Sequence, residues 1–141
     1  MTEPDEGAVP SARFPRERHL RRRVDFLRVQ QLGRRVVSKH FVFLLAARTQ
    51  PGPSRLGITV TRKVGTAVVR NRAKRLIREV FRHLPFYLPE GIDMVVVVRS
   101  PLIDRKAIDV MLEWEGAARA LARQAAFVLA SAAAQSQGGQ Q

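Results

Sequence analysis

The sequence predicts a compact α+β sandwich, a small and mostly antiparallel sheet packed with helices. Three observations carry that prediction. Two dense apolar runs, Phe41-Val42-Phe43-Leu44-Leu45 and Met94-Val95-Val96-Val97-Val98, are strand-sized. Segments with apolar residues at helical spacing flank and separate the strand segments. The chain has 141 residues, of which 45% are hydrophobic, enough for one core and hardly for two.

Each element follows from local pattern. Residues 1–15 are acidic, then Pro/Ser/Gly-bearing, and are expected to be disordered. A single domain over 16–130 follows, then a frayed Ala/Gln/Ser/Gly tail over 131–141. From Arg16 to Leu32, Leu20, Val24 and Leu27 share one helical face, and Gly33 is placed to end the helix. Arg34 to Arg48 reads as extended, and a split within it gives a four-stranded sheet. The run from Thr49 to Ser54, with two prolines, is a loop.

Leu56, Ile58 and Val60 then alternate with Gly57, Thr59 and Thr61, which is a strand with one apolar face. Thr66 is the expected N-cap of a helix running to about Leu84, where Pro85 stops it. Ile92 to Arg99 is apolar on both sides, as a central, covered strand must be. Ser100-Pro101 marks the start of a long last helix, with Ile108, Met111, Leu112, Ala118, Leu121, Ala122 and Ala125 on its apolar face.

Charge bounds the function. Lys plus Arg is 25 against 12 for Asp plus Glu, a net charge of +13. Four of the cations are lysines (Lys39, Lys63, Lys74 and Lys106) and 21 are arginines. Self-repulsion on this scale destabilises a compact chain unless a polyanion balances it. Nucleic acid is the first expectation and an anionic membrane surface the second. No segment approaches the roughly 20 apolar residues that span a bilayer. The first residues lack the order of a secretory signal, so the expected location is the cytoplasm and no membrane partner is expected. Cysteine is absent, which excludes disulfides, thiolate zinc sites and Cys nucleophiles.

The segment Arg70 to Arg82 is the most informative. On a helical wheel, Val69, Ala73, Leu76, Ile77, Val80 and Leu84 fall on one side. Arg70, Lys74, Arg78 and Arg82 step by four along another, with Asn71 and Arg75 beside them. Like charges four apart on a helix cost a few tenths of a kcal/mol per pair. A phosphate backbone would compensate that repulsion through guanidinium forks; an ordinary solvated basic face would not. The Thr59 and Thr61 face of the preceding strand is expected beside this helix. Its small side chains would leave a groove open to a nucleic-acid strand, rimmed by Arg55, Lys63 and Arg70. Two readings of Phe26 stand at this point, a stacking platform for a base and plain core packing.

These residues resemble the bacterial ribonuclease P protein family. The likeness is carried by Lys63 and Gly65 followed by Arg70-Asn71-Arg72-Ala73-Lys74-Arg75-Leu76-Ile77-Arg78, and extends from about Arg18 to Ala126. The resemblance implies a left-handed βαβ crossover around the signature helix. It also implies a role as protein subunit of a ribonucleoprotein whose RNA removes the 5′ leader of precursor tRNA. The implied partners are that catalytic RNA, at 1:1, and the leader; the implied cofactor is magnesium, bound mainly by the RNA. Lys63, Arg70, Asn71, Arg72, Lys74, Arg75 and Arg78 match the signature, and Arg82 extends its row toward RNA. Phe26 matches an aromatic of the leader cleft, to which Arg55, Thr59 and Thr61 are assigned. Gln30, four residues after Phe26, departs from the family's usual aromatic.

No catalytic or metal-ligating set is expected in the chain. Its carboxylates show no spacing typical of a two-metal site. Asp109 and Glu113 read as ordinary surface charge, and His19, His40 and His83 are scattered. Composition alone also fits a structural RNA-binding module. A DNA reader usually needs base-reading side chains on its exposed helix; Asn71 is the one amide in the stripe, so no DNA partner is expected.

Overall fold

A computed structural model describes residues 18–83, 88–102 and 104–138. The expected disordered segment 1–15 lies outside the described residues, as do Leu84 and Pro85, where the signature helix was expected to stop. The elements run α1 (Arg23–Leu32), β1 (Arg34–Val37), β2 (Phe41–Ala47), β3 (Arg55–Thr59), a short 3-10 turn (Arg62–Val64), α2 (Ala67–His83), β4 (Ile92–Val98) and α3 (Ala107–Gly138).

The stretch from Arg34 splits into two strands around Ser38, so the sheet has four, in the order β1-β2-β4-β3. β1 pairs antiparallel with β2, and β2 antiparallel with β4, Phe43 lying opposite Val96. β3 pairs parallel with β4, Gly57 lying opposite Val95. A parallel pair cannot be joined by a hairpin, and α2 supplies the crossover. β4 is interior and buried on both faces, as its unbroken apolar run requires.

Alternation along the strands makes two cores. Phe41, Phe43 and Leu45 of β2, Leu56 of β3, and Met94 and Val96 of β4 face α2 and α3. Leu44, Ala46 and Val95 face α1, where Val29 is fully buried. In the larger core, Trp114 of α3 sits 5.2 Å from Phe43 and 6.2 Å from Phe81 between ring centroids, joining sheet, α2 and α3 in one aromatic cluster. Tilted pairs at these distances suit the ring quadrupoles.

Several expectations need correction. α1 begins at Arg23, not Arg16. Leu20 is instead extended beside β3, its N–H donating to the Leu56 carbonyl at 2.8 Å. A helical phase counted from Leu20 therefore fails, and Val24 is 59% exposed while Val29 fills the core. α3 begins at Ala107, not at Ser100-Pro101, because Leu102 drops into the core first and Asp104 turns the chain at a φ of 66°. The Asp109 carboxylate accepts from the Lys106 N–H at 2.8 Å and caps the new start.

The buried face of α3 is Val110, Trp114, Ala117, Leu121, Ala125 and Val128; of the expected face, Leu121 and Ala125 are buried and Met111 packs on the core, while Ile108 and Leu112 point outward. At its other end α3 continues to Gly138, through most of the expected tail. An alanine-rich run is the best helix former available.

Candidate nucleic-acid interface

α2 forms where the wheel placed it. The Thr66 hydroxyl accepts from the Val69 N–H at 3.4 Å and starts the helix. Ala73, Ile77, Val80 and Phe81 are buried, and Val69 and Leu76 pack against the same core. The opposite side presents Asn71, Lys74, Arg75 and Arg78 around a shallow depression of about 400 Å³. The side chains of Arg70, Asn71, Lys74, Arg75 and Arg78 make no hydrogen bond or ion pair with any described residue. Lys63, exposed on the 3-10 turn just before α2, is equally uncommitted. A Cβ at Gly65, which links turn to helix, would come within 2.9 Å of Val69.

Two arginines of the expected RNA-binding set have partners within the chain. Arg72 donates to the backbone carbonyls of Leu102, at 2.7 Å, and of Arg105. It pins the loop that leads into α3, which is a structural assignment. Arg82 also has partners among the described residues, and one of its nitrogens lies 3.5 Å from the His83 ring.

The second surface is a groove of about 330 Å³ lined by Arg21, Arg23, Phe26, Leu27, Gln30 and Thr59. It runs between α1 and the sheet, so the open face of β3 meets α1 and not α2. The expectation that this face adjoins the signature helix is therefore corrected. α2 packs over Leu56 and Ile58, the apolar side, because burial selects that side.

Phe26 lies between the smaller core and the groove. Its ring packs on the smaller core and also walls the groove. Its approach to β3 needs a glycine, since a Cβ on Gly57 would lie 2.6 Å from the ring edge. Thr61 is exposed beyond the end of β3 and is not among the groove-lining residues. Arg21, Arg23, Leu27 and Gln30 were not assigned to the groove from sequence. For Arg23 and Gln30, three residues before and four after Phe26 on one helix, that spacing was the available signal.

Arg55 does not rim an open groove. It forms a two-pronged pair with Asp93, Nε to Oδ1 and Nη2 to Oδ2, both at 2.8 Å. Asp93 is 0% exposed and also accepts from Arg28, whose other terminal nitrogen donates to the Ala47 carbonyl at 2.8 Å. Asp25 lies 3.7 Å from Arg28 and 3.8 Å from Arg55. The hydrogen bond to Asp93 raises the proton affinity of Arg55 against the opposing effect of burial. This network ties α1 to β3 and β4.

Glu113 also departs from expectation. Its carboxylate accepts from the Ser38 hydroxyl, from the His40 N–H at 2.7 Å and lies 2.6 Å from His40 Nδ1. Burial would raise this carboxyl, but the hydrogen bonds from Ser38 and His40 together hold it below its ordinary value. Serine, histidine and carboxylate meet here without a nucleophile's geometry, since hydroxyl and imidazole both point at the carboxylate. The cluster fastens the β1–β2 turn to α3. Among the described residues no three of His, Asp and Glu converge on a point where a metal ion could sit, and no helix is long and apolar enough to cross a membrane.

A basic helix over one face of a mixed four-stranded sheet and an aromatic groove under the other can be compared with known proteins. Residues 14–122 match the family described as Ribonuclease P. The chain belongs to the ribonuclease P protein family. The ribonuclease P protein component of Dictyoglomus thermophilum is 52% identical over 88 residues, 61% of this chain and 71% of that one. That of Thermotoga maritima is 42% identical over 89 residues, 63% of this chain and 75% of that one.

Solved structures agree. The Thermotoga maritima protein superposes with a TM-score of 0.62 at 36% identity, covering 70% of this chain and 92% of the other. The Staphylococcus aureus protein gives 0.66 at 29%, covering 77% and 97%. As a ribonuclease P protein component, the chain works with an RNA subunit in removing the 5′ leader from precursor tRNA.

Proposed function

We propose a division of labour between the two surfaces. The α2 face clamps phosphates of the RNA subunit through Lys63, Arg70, Asn71, Lys74, Arg75 and Arg78, with Arg82 at its edge and Arg72 holding the neighbouring loop. The α1–β3 groove receives the single-stranded leader, with Phe26 and Thr59 on its walls, Thr61 at its approach, and Arg55 acting through Asp93 as a positioning residue. One protein binds one RNA in the cytoplasm. The RNA carries the reacting centre and holds most of the magnesium; the chain's cations lower the cost of bringing leader and RNA phosphates together.

One observation carries this reading. Five polar or cationic side chains of α2 have no partner among the described residues, while Arg28 and Arg55 under the sheet are paired with Asp93. The deciding experiment is cleavage of a 5′-extended precursor tRNA at low magnesium, with protein, ribonuclease P RNA, or both. Efficient cutting at the mature 5′ end by the mixture alone is the expected result. Cutting by the protein alone would return the chemistry to its carboxylates. A mixture no better than RNA would remove the cofactor role.

A further inference from the structure

A third surface is assigned no role by the groove or the α2 face. The C-terminal half of α3 passes the ends of α1 and β2 and borders an open pocket of about 430 Å³ with Leu32, Arg34, Arg48, Phe127 and Gln135 on its walls. Phe127 lies beyond the residues that match the family, which end at 122. Leu32 is 73% exposed and Phe127 51%. The Arg34 guanidinium carbon stands 4.3 Å from the Phe127 ring centre, and its Nε donates to the Gln124 side chain at 2.9 Å. That leaves both terminal nitrogens of Arg34 without a partner among the described residues. Arg48 donates one terminal nitrogen to the Pro53 carbonyl at 2.6 Å, and its other terminal nitrogen has no partner among the described residues.

We propose that this pocket is a separate contact for single-stranded RNA, in which a base extends the Arg34–Phe127 stack and its phosphate takes the free donors of Arg34 and Arg48. The charge of the lining argues for it. Its ionisable side chains are Arg28, Arg34 and Arg48, with no acid among them, and Arg28 is already held by Asp93. A stacked guanidinium and ring present a planar face that any base can cover, worth enough to shift affinity several-fold. A second copy of the chain fits worse. A two-fold contact at this patch would set Arg34 and Arg48 against their own equivalents.

The RNA has two possible sources, the RNA subunit and the precursor tRNA, and the test separates them. A photoreactive benzoylphenylalanine is placed at position 127 in the reconstituted holoenzyme. The RNA subunit is end-labelled in one arm and a long-leader precursor in the other. A crosslink in either arm is the expected result and names the source; none in both overturns the proposal.

Binding of that RNA by Phe127→Ala should weaken at least about fivefold. Binding by Arg34→Gln should lose about 0.7 of log–log salt slope. Thermal unfolding of both variants should match the parent, since both side chains are exposed. Unchanged affinity with altered sedimentation would overturn the proposal in favour of a protein interface. Failure of the parent holoenzyme to cleave would instead count against the proposed function, so the two failures are distinct.

Discussion

The two arginine-rich regions of this molecule differ in what their cations hold. On the α1 side of the sheet, Arg28 and Arg55 converge on the buried carboxylate of Asp93. On the outer face of α2, Arg70, Lys74, Arg75 and Arg78 lie together with no acid to neutralise them. The first arrangement spends its cations on the fold. The second leaves them unneutralised by the described residues, at the cost of mutual repulsion, and so open to the phosphates that the proposed function assigns them. Identical residue types therefore serve the fold in one place and, on the proposed function, RNA in the other, and the partner within the chain is what distinguishes them.

The largest effect should come from breaking the internal network. Asp93→Ala leaves Arg28 and Arg55 with only the more distant Asp25 beside them, and removing one partner of a buried pair costs about 3–5 kcal/mol, less here for what solvent and Asp25 recover. Urea denaturation should show that loss. A change within about 0.5 kcal/mol, the usual range for surface substitutions, would mean that Arg28 and Arg55 reach solvent without cost, and the contrast between the regions would fail.

A smaller effect should follow from filling the gap under Phe26. Gly57→Ala places a carbon 2.6 Å from the ring, and overpacking of this kind costs about 1–3 kcal/mol. The ring must then shift toward the groove. Leader-dependent binding of precursor tRNA should weaken while binding of the RNA subunit holds. Equal loss of both would make Phe26 a core residue with no separate part in the groove.

Much of the fold was legible because periodicity is local. The α2 wheel, the covered β4 and the split of residues 34–48 each depend on neighbours a few positions apart. What escaped depends on distant partners. Arg55 and Arg72 look like any other basic residue until Asp93 and the Leu102 carbonyl arrive from 38 and 30 positions away. A signal for the first existed: Asp93 lies in a strand apolar on both sides, and a carboxylate buried there needs cations. The phase of α3 escaped for a related reason. Apolar residues lie on adjoining faces of this helix, and the face that is buried is the one that brings Trp114 against Phe43 and Phe81, partners far away in the chain.

Glu113 offers an intermediate case, because its pairing can be removed by pH. Its carboxyl is held below the ordinary value, so the folded state binds its proton less readily than the unfolded chain. The resulting stabilisation is complete above the unfolded carboxylate range, near pH 4.3, and is lost as pH falls through the lower folded value. Melting temperatures of the parent and Glu113→Gln should therefore differ at pH 7 and converge under acid. A gap that persists unchanged to pH 3 would attribute the effect to packing at the β1–β2 turn.

The smallest stability effect belongs to the face with the largest expected consequence for RNA. Arg75 is exposed and pairs with nothing described, so Arg75→Ala should change the unfolding free energy by no more than about 0.5 kcal/mol. Relief of repulsion with its neighbours could even make that change favourable. In the holoenzyme the same substitution should weaken binding to the RNA subunit and reduce the log–log salt slope by about one unit for the lost phosphate contact. Arg70→Ala should behave alike. Arg72→Ala should invert the pattern, losing stability through the freed carbonyls of Leu102 and Arg105 while the salt slope stays put. If Arg72 and Arg75 instead gave the same profile, the distinction between a cation held by the fold and one kept for RNA would not survive within α2 itself.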